Sequence, residues 1–258
     1  MHPLDLTFGT WSLFGQGTFV DLIAATTNAL NGALLARRPD HYRNYTFVGI
    51  VLMAIIGGIA GGVTRDVILG NPPSAFMNPA YITFCVAAGI VGYFLAYASG
   101  QLFREGLFQF MTSFSLPWYA IIGAQKAIEA GYPILGALAI AVIAPTAGRF
   151  LIDLTSGVTP KQFVRGEWFV ATAVGTGLVW IVLDEVGVPY WLSVGVAFLF
   201  GFTFRVLALY RGWEEPLAKE PKGLKVHPDK RPLLGRKLAG KSQEELRMLG
   251  LTVDDVAR

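Results

Sequence analysis

The sequence predicts an all-α membrane protein. It has seven transmembrane helices: an inverted three-plus-three repeat with a seventh helix added, the N-terminus outside and the C-terminus cytoplasmic. Three observations predict this. Of 258 residues, 53% are hydrophobic and only 15% charged, where a soluble domain carries about 25% charge. The charge is uneven, with 18 of the 39 acidic and basic side chains in residues 212–258. The remaining 211 residues break into seven apolar stretches of spanning length, and their motifs repeat. The domain division is therefore 1–211, a transmembrane unit, and 212–258, a polar cytoplasmic tail.

The elements follow in order. A span needs about 20 mostly apolar residues. The candidates are 12–36, 45–70, 80–103, 108–130, 133–157, 166–184 and 189–210. Turn or charged segments separate them: ARRPDHYR, NPPSAFMNP, FREG, EAGYP, TPKQFVRGE and DEVGVP. Numbered alternately, one set of loops holds Arg37, Arg38, Arg43, Arg104, Lys161 and Arg165, and Arg211 opens the tail on that side. The other set holds Asp5, Glu129, Asp184 and Glu185, with no Lys or Arg. The positive-inside rule then sets the orientation. The tail contains a capping box, Ser242 with Glu245, for one short helix, and is otherwise solvated.

Repeat one covers about 12–103 and repeat two about 108–184, with the seventh helix at about 189–210. DLIAATTNALNG from Asp21 to Gly32 has a counterpart in TSFSLPWYAIIG from Thr112 to Gly123. GGVTRD at 61–66 matches GRFLID at 148–153, and in each a proline, Pro73 or Pro160, follows the final Asp seven residues later. Gly58 aligns with Pro145, and Tyr81 with Trp168. Three spans per copy is odd, so the copies enter the membrane from opposite faces. Inverted repeats with paired interrupted helices point to a transport site at the repeat interface near the midplane.

The candidate pathway residues come from those interrupted segments. Gly57, Gly58, Gly61 and Gly62 weaken the second span, and Thr64, Arg65 and Asp66 add polarity at membrane depth. Pro145, Gly148, Arg149 and Asp153 do the same in the fifth span. The cation has moved there by one turn and kept its direction, and Arg149 and Asp153 are spaced for an intrahelical pair. Arg65 and Asp66 either snorkel at the outer end of their helix or face a wet interior opposite Arg149 and Asp153; two such pairs on two related helices favour the interior. Lys126, in GAQKA, either snorkels or belongs to the pathway, with Gln125 and Glu129 in reach. Asp21, Thr27, Asn28 and Asn31 line the first span, as pore groups or as interhelical packing. Arg205 reads as a snorkelling anchor, and the six tryptophans mostly as an interfacial belt.

Composition and spacing exclude other classes. The net charge is only +3 and its basic residues lie at helix ends, so no nucleic-acid surface is expected. Cys85 is the single cysteine, which rules out an internal disulfide and a cysteine-based metal site. His2, His41 and His227 are scattered, and there is no Walker loop, so neither an enzyme nor a metal or organic cofactor is expected. No cleaved leader is read at the N-terminus.

GGVTRDVILGNPP, the downstream GAQKA, the seven-span count and the inverted repeat resemble the prokaryotic branch of the trimeric intracellular cation (TRIC) channel family. The resemblance covers about 12–210. It implies a homotrimer in a bacterial or archaeal inner membrane, multi-pass, with one pore per protomer lined by kinked second and fifth helices. It implies passage of the monovalent cations K⁺ and Na⁺. In some relatives basic pore residues engage membrane lipid, so membrane lipid is an expected partner here, and no soluble protein partner is expected. This chain departs from the family in two places: Ile152 stands where the second copy usually has Arg, and Thr112 where an acidic residue is usual. Some bacterial relatives are described as glycine-transporting, which makes a carrier for a small zwitterion the alternative.

Overall fold

The computed structural model describes residues 7–8, 11–12, 16–38, 41, 43–98, 101–160, 162–163 and 168–215. A two-residue antiparallel pair, β1 (Thr7–Phe8) and β2 (Trp11–Ser12), precedes eight helices. These are α1 (Gln16–Leu35), α2 (Phe47–Ile68), α3 (Ser74–Met77), α4 (Pro79–Ala98), α5 (Gln101–Glu129), α6 (Ile134–Thr155), α7 (Phe169–Glu185) and α8 (Tyr190–Arg211). By length and apolarity alone, α2, α6 and α8 meet the requirement for crossing a membrane. The tail beyond 215 lies outside the described residues.

Local sequence accounts for the helix ends. The Thr46 hydroxyl accepts the Gly49 amide at 3.1 Å and starts α2. Both α2 and α6 stop in the same way. Gly70 and Gly157 take φ of +73° and +67°, and the amides of Asn71 and Val158 reach back to the carbonyls of Asp66 and Asp153 at 2.8 Å each. Glycine adopts this left-handed conformation without a side-chain clash.

Two expectations need correction. The FREG segment is helical and belongs to α5, so α5 begins seven residues earlier than the expected 108. Arg and Glu are competent helix formers and supply no break. More consequentially, α2 and α6 run without interruption through their glycines and Pro145. The glycines do not break the helices; they let them touch.

A Cβ on Gly61 would lie 1.9 Å from the Ala144 carbonyl oxygen, and one on Gly148 would lie 2.8 Å from the Gly57 carbonyl oxygen. α2 and α6 therefore cross antiparallel at backbone contact, the arrangement that small residues four apart permit. The same closeness recurs within each half. A Cβ on Gly32 of α1 would meet the Met53 carbonyl of α2 at 2.5 Å, and one on Gly123 of α5 the Ile140 carbonyl of α6 at 2.9 Å. α1 packs on α2 and α4 as α5 packs on α6 and α7, and α8 lies against α5 and α7. The two apolar cores are rich in alanine and exchange residues: Val20 and Ala24 of α1 join the core of α5–α8, and Phe108 and Ile152 join that of α1–α4.

Candidate functional site

Three polar assemblies sit along the α1–α2–α5–α6 contact. The first is at the C-terminal end of α2. Arg65 is fully buried, and its guanidinium forks onto Asp21 of α1 through Nη1–Oδ1 at 2.9 Å and Nη2–Oδ2 at 2.8 Å. Its Nε donates to Asp66 Oδ1 at 2.8 Å. Lys126 Nζ donates from α5 to Asp21 Oδ2 at 3.2 Å, Asp66 Oδ1 at 3.3 Å and the Ser74 hydroxyl at 3.0 Å. The Tyr81 hydroxyl donates to Asp21 Oδ2 at 3.2 Å, and the Ser74 amide to Asp66 Oδ2 at 2.8 Å. Two carboxylates face two cations, so the assembly is neutral. Buried charge is tolerable only in such a saturated network. Asp21, Gly58, Gly62, Arg65, Asp66 and Tyr119 border a small cavity beside it.

The second assembly is at the opposite end of the crossing. Arg149 Nε donates to Asp153 Oδ1 at 2.7 Å, the i,i+4 pair the spacing predicts. His41, fully buried, meets the same oxygen through Nε2 at 2.7 Å. The guanidinium carbons of Arg38 and Arg149 lie 4.5 Å and 5.3 Å from the centre of the Phe108 ring. Asp66 and Asp153 each lie seven residues beyond the middle of the crossing, in opposite directions. At about 1.5 Å per residue they are about 20 Å apart. The two charged pairs therefore do not face each other across the midplane, as the sequence suggested. The antiparallel crossing separates them.

Between them the α2 backbone is held from both sides. Asn28 Nδ2 donates to the Gly57 carbonyl at 2.8 Å, and the Tyr119 hydroxyl donates to the Gly58 carbonyl. The carbonyls of Gly57 and Gly58 are thus engaged by side chains of α1 and α5. A larger pocket lies on the Arg149 side, bordered by Asn28, Asn31, Thr112, Ser115, Tyr119 and Arg149 among others. Tyr119 borders both cavities.

The remaining expected site residues have local roles. Thr27 and Thr64 bond back to the carbonyls of Ile23 at 2.7 Å and Ala60 at 2.8 Å on their own helices. Asn31 Nδ2 donates to Thr112 Oγ1 at 2.7 Å. Gly57, Gly61 and Gly148 form the crossing, Gly62 borders the smaller cavity, and Pro145 the larger. Glu129 does not pair with Lys126; it accepts from Gln125 at 2.8 Å, which leaves Lys126 free to turn inward. Arg205 is buried, its guanidinium 5.7 Å from the Phe169 ring centre, and does not snorkel.

Sequence reasoning missed His41 and Tyr119. His41 sits in a charged loop, and nothing in its local pattern shows that the loop folds over Asp153. Tyr119 carried a signal: the repeat alignment makes it the counterpart of Asn28, and both bond to adjacent carbonyls of α2. Replacing His41 by Ala removes a buried partner of Asp153 and is expected to cost about 1–3 kcal/mol. Thermal unfolding in detergent measures this, and an unchanged midpoint would show that Arg149 alone suffices.

Comparison with known proteins fits this architecture. The family described as Glycine transporter matches residues 18–97 and 109–185, one segment on each half of the molecule. A UPF0126 membrane protein of Deinococcus radiodurans is 27% identical over 199 residues, 76% of this chain and 89% of that protein. A UPF0126 membrane protein of Bacillus subtilis is 25% identical over 167 residues, 63% of this chain and 80% of its own length. Among solved structures, the TRIC trimeric intracellular cation channel orthologue from Rhodobacter sphaeroides superposes with a TM-score of 0.69 at 27% identity, over 76% of this chain and 98% of that one. A prokaryotic TRIC channel at 21% identity gives the same TM-score over 76% of this chain and 97% of its own, which shows the shared fold. The protein is a multi-pass membrane protein of the cell membrane. With both of its halves matched, the chain belongs to the Glycine transporter family, and its fold is that of the prokaryotic TRIC channels.

Proposed function

We propose that this chain is a channel for monovalent cations, K⁺ and Na⁺, assembled as a homotrimer with one pathway in each protomer. The observation that carries the reading is the pair of cavities meeting at Tyr119. They follow the α1–α2–α5–α6 contact from the Arg65 assembly to the Arg149 assembly. The likeness to solved cation channels at 27% identity supports it.

Seven of the helices act as spans, with α3 in a loop, the N-terminus outside and the C-terminus cytoplasmic. The inverted repeat is supported by the paired close approaches: Gly32 on Met53 and Gly123 on Ile140 are equivalent positions, and so are the two halves of the α2–α6 crossing. The pathway is lined by α2 and α6 with α1 and α5. Paired charges at either end draw cations without holding them, and a bond from Tyr119 to the Gly58 carbonyl closes the path between.

Recording from the purified protein in planar bilayers under a K⁺ gradient tests this. Discrete current steps are expected, and Asp66→Asn and Asp153→Asn should each alter conductance or selectivity. Unchanged currents in both variants would remove the two assemblies from the path. The carrier reading has one observation in its favour, the description of the matched family. A zwitterion bound at Arg65 would have to displace Asp21 from both of its bonds, which favours the channel. Glycine counterflow that saturates, without current steps, would reverse the choice.

A further inference from the structure

We propose that the larger cavity is a binding site for a partly dehydrated monovalent cation of K⁺ size, held by the neutral side-chain oxygens of Asn28, Asn31, Thr112 and Ser115. The inference rests on the channel reading above and names a site on its path. Asn31 is only 6% exposed, yet among the described residues its Oδ1 has no hydrogen-bond partner, and the residue borders the cavity. A buried acceptor left unpaired is costly and calls for an explanation.

The bonding network fixes which amide atom is which. Thr112 spends its proton on the Phe108 carbonyl at 2.9 Å, so it can only accept from Asn31 at 2.7 Å. Nδ2 of Asn31 therefore faces Thr112, and Oδ1 is the atom left over. Asn28 is fixed likewise, because its Nδ2 serves the Gly57 carbonyl at 2.8 Å. Its Oδ1 accepts only a long 3.4 Å bond from Ser115. Asn28 and Asn31 are one turn apart on α1, and Thr112 and Ser115 one turn apart on α5. Two pairs of oxygens thus border one cavity from two helices.

The chemistry selects the ligand. Under-used acceptors seek a cation or a donor, which excludes an anion. Amide and hydroxyl oxygens without a carboxylate are weak ligands for a divalent ion. Neutral oxygens can stand in for part of a hydration shell while letting a permeant ion leave. The nearest charge, Arg149, is paired to Asp153 at 2.7 Å.

The test uses the full chain crystallised with Rb⁺ in place of K⁺, together with bilayer recordings. An anomalous peak beside Asn31 Oδ1 is expected in the wild-type protein and should vanish in Asn31→Leu. The K⁺ concentration giving half-maximal conductance should rise about fivefold or more in Asn31→Leu. It should fall in Asn31→Asp. Absence of the wild-type Rb⁺ peak, or its replacement by an ordered water only, overturns the site and needs no variant to fold. If wild-type currents persist while neither substitution shifts half-saturation, the site fails and the channel reading stands. If the wild-type protein passes no cation current, the channel reading fails, whatever the Rb⁺ experiment shows.

Discussion

Gly61→Ala is expected to destabilise the protein by at least about 3 kcal/mol, although it adds a single methyl group. The new Cβ would lie 1.9 Å from the Ala144 carbonyl oxygen. That atom is backbone in the middle of a helix, so it cannot rotate away as a side chain would. α2 and α6 must separate, and the matching approach of Gly148 to Gly57 opens with them. Thermal unfolding in detergent should show the midpoint falling by about 10 °C, at a few degrees per kcal/mol for a protein of this size. Gly62 is the control. The nearest atom to a Cβ there is the Arg65 Nη2 at 3.6 Å, an ordinary contact. Gly62→Ala gains helix propensity of about 1 kcal/mol and should leave the midpoint unchanged or raise it. If the two adjacent glycines respond alike, the crossing is not the reason for this sequence.

The second large effect is at Arg65. Removing it by Arg65→Met leaves Asp21 and Asp66, 2% and 1% exposed, with Lys126 as their one remaining cation among the described residues. Breaking a buried ion network by deleting one partner costs about 3–5 kcal/mol. Lysine should not restore it, because Asp21 is held by a two-pronged fork that an ammonium cannot reproduce. The double variant Arg65→Met with Asp21→Asn removes opposite charges together and should recover most of the loss. The readout is the unfolding midpoint of the four proteins compared as a double-mutant cycle. Additive losses would show that Arg65 and Asp21 are not coupled, contrary to their geometry.

Much of the fold was legible because its signals are local or periodic. Apolar runs of spanning length, glycines at 70 and 157 past the helix ends, and the recurrence of GGVTRD in GRFLID need no tertiary information to read. The Arg149–Asp153 pair was legible for the same reason, since both partners lie on one helix. The partner of Arg65 was not. Asp21 is 44 residues away, and only the packing of α1 on α2 brings it to the guanidinium. Nor was the partner set of Lys126 legible, since the side chain reaches two other helices and the α3 segment.

The glycine-rich stretch shows where the division lies. By itself the sequence places GGIAGGVTRD in an apolar run of spanning length, aligns it with APTAGRFLID, and shows charge following the glycines in both. It could not determine whether glycine there means a broken helix or a close crossing, because a missing Cβ permits either. Only the tertiary structure decided that: the space left at Gly61 and at Gly148 is filled by a carbonyl of the other helix. The same antiparallel contact sends the two charged pairs to opposite ends and leaves Tyr119 and Asn28 on the α2 carbonyls between them.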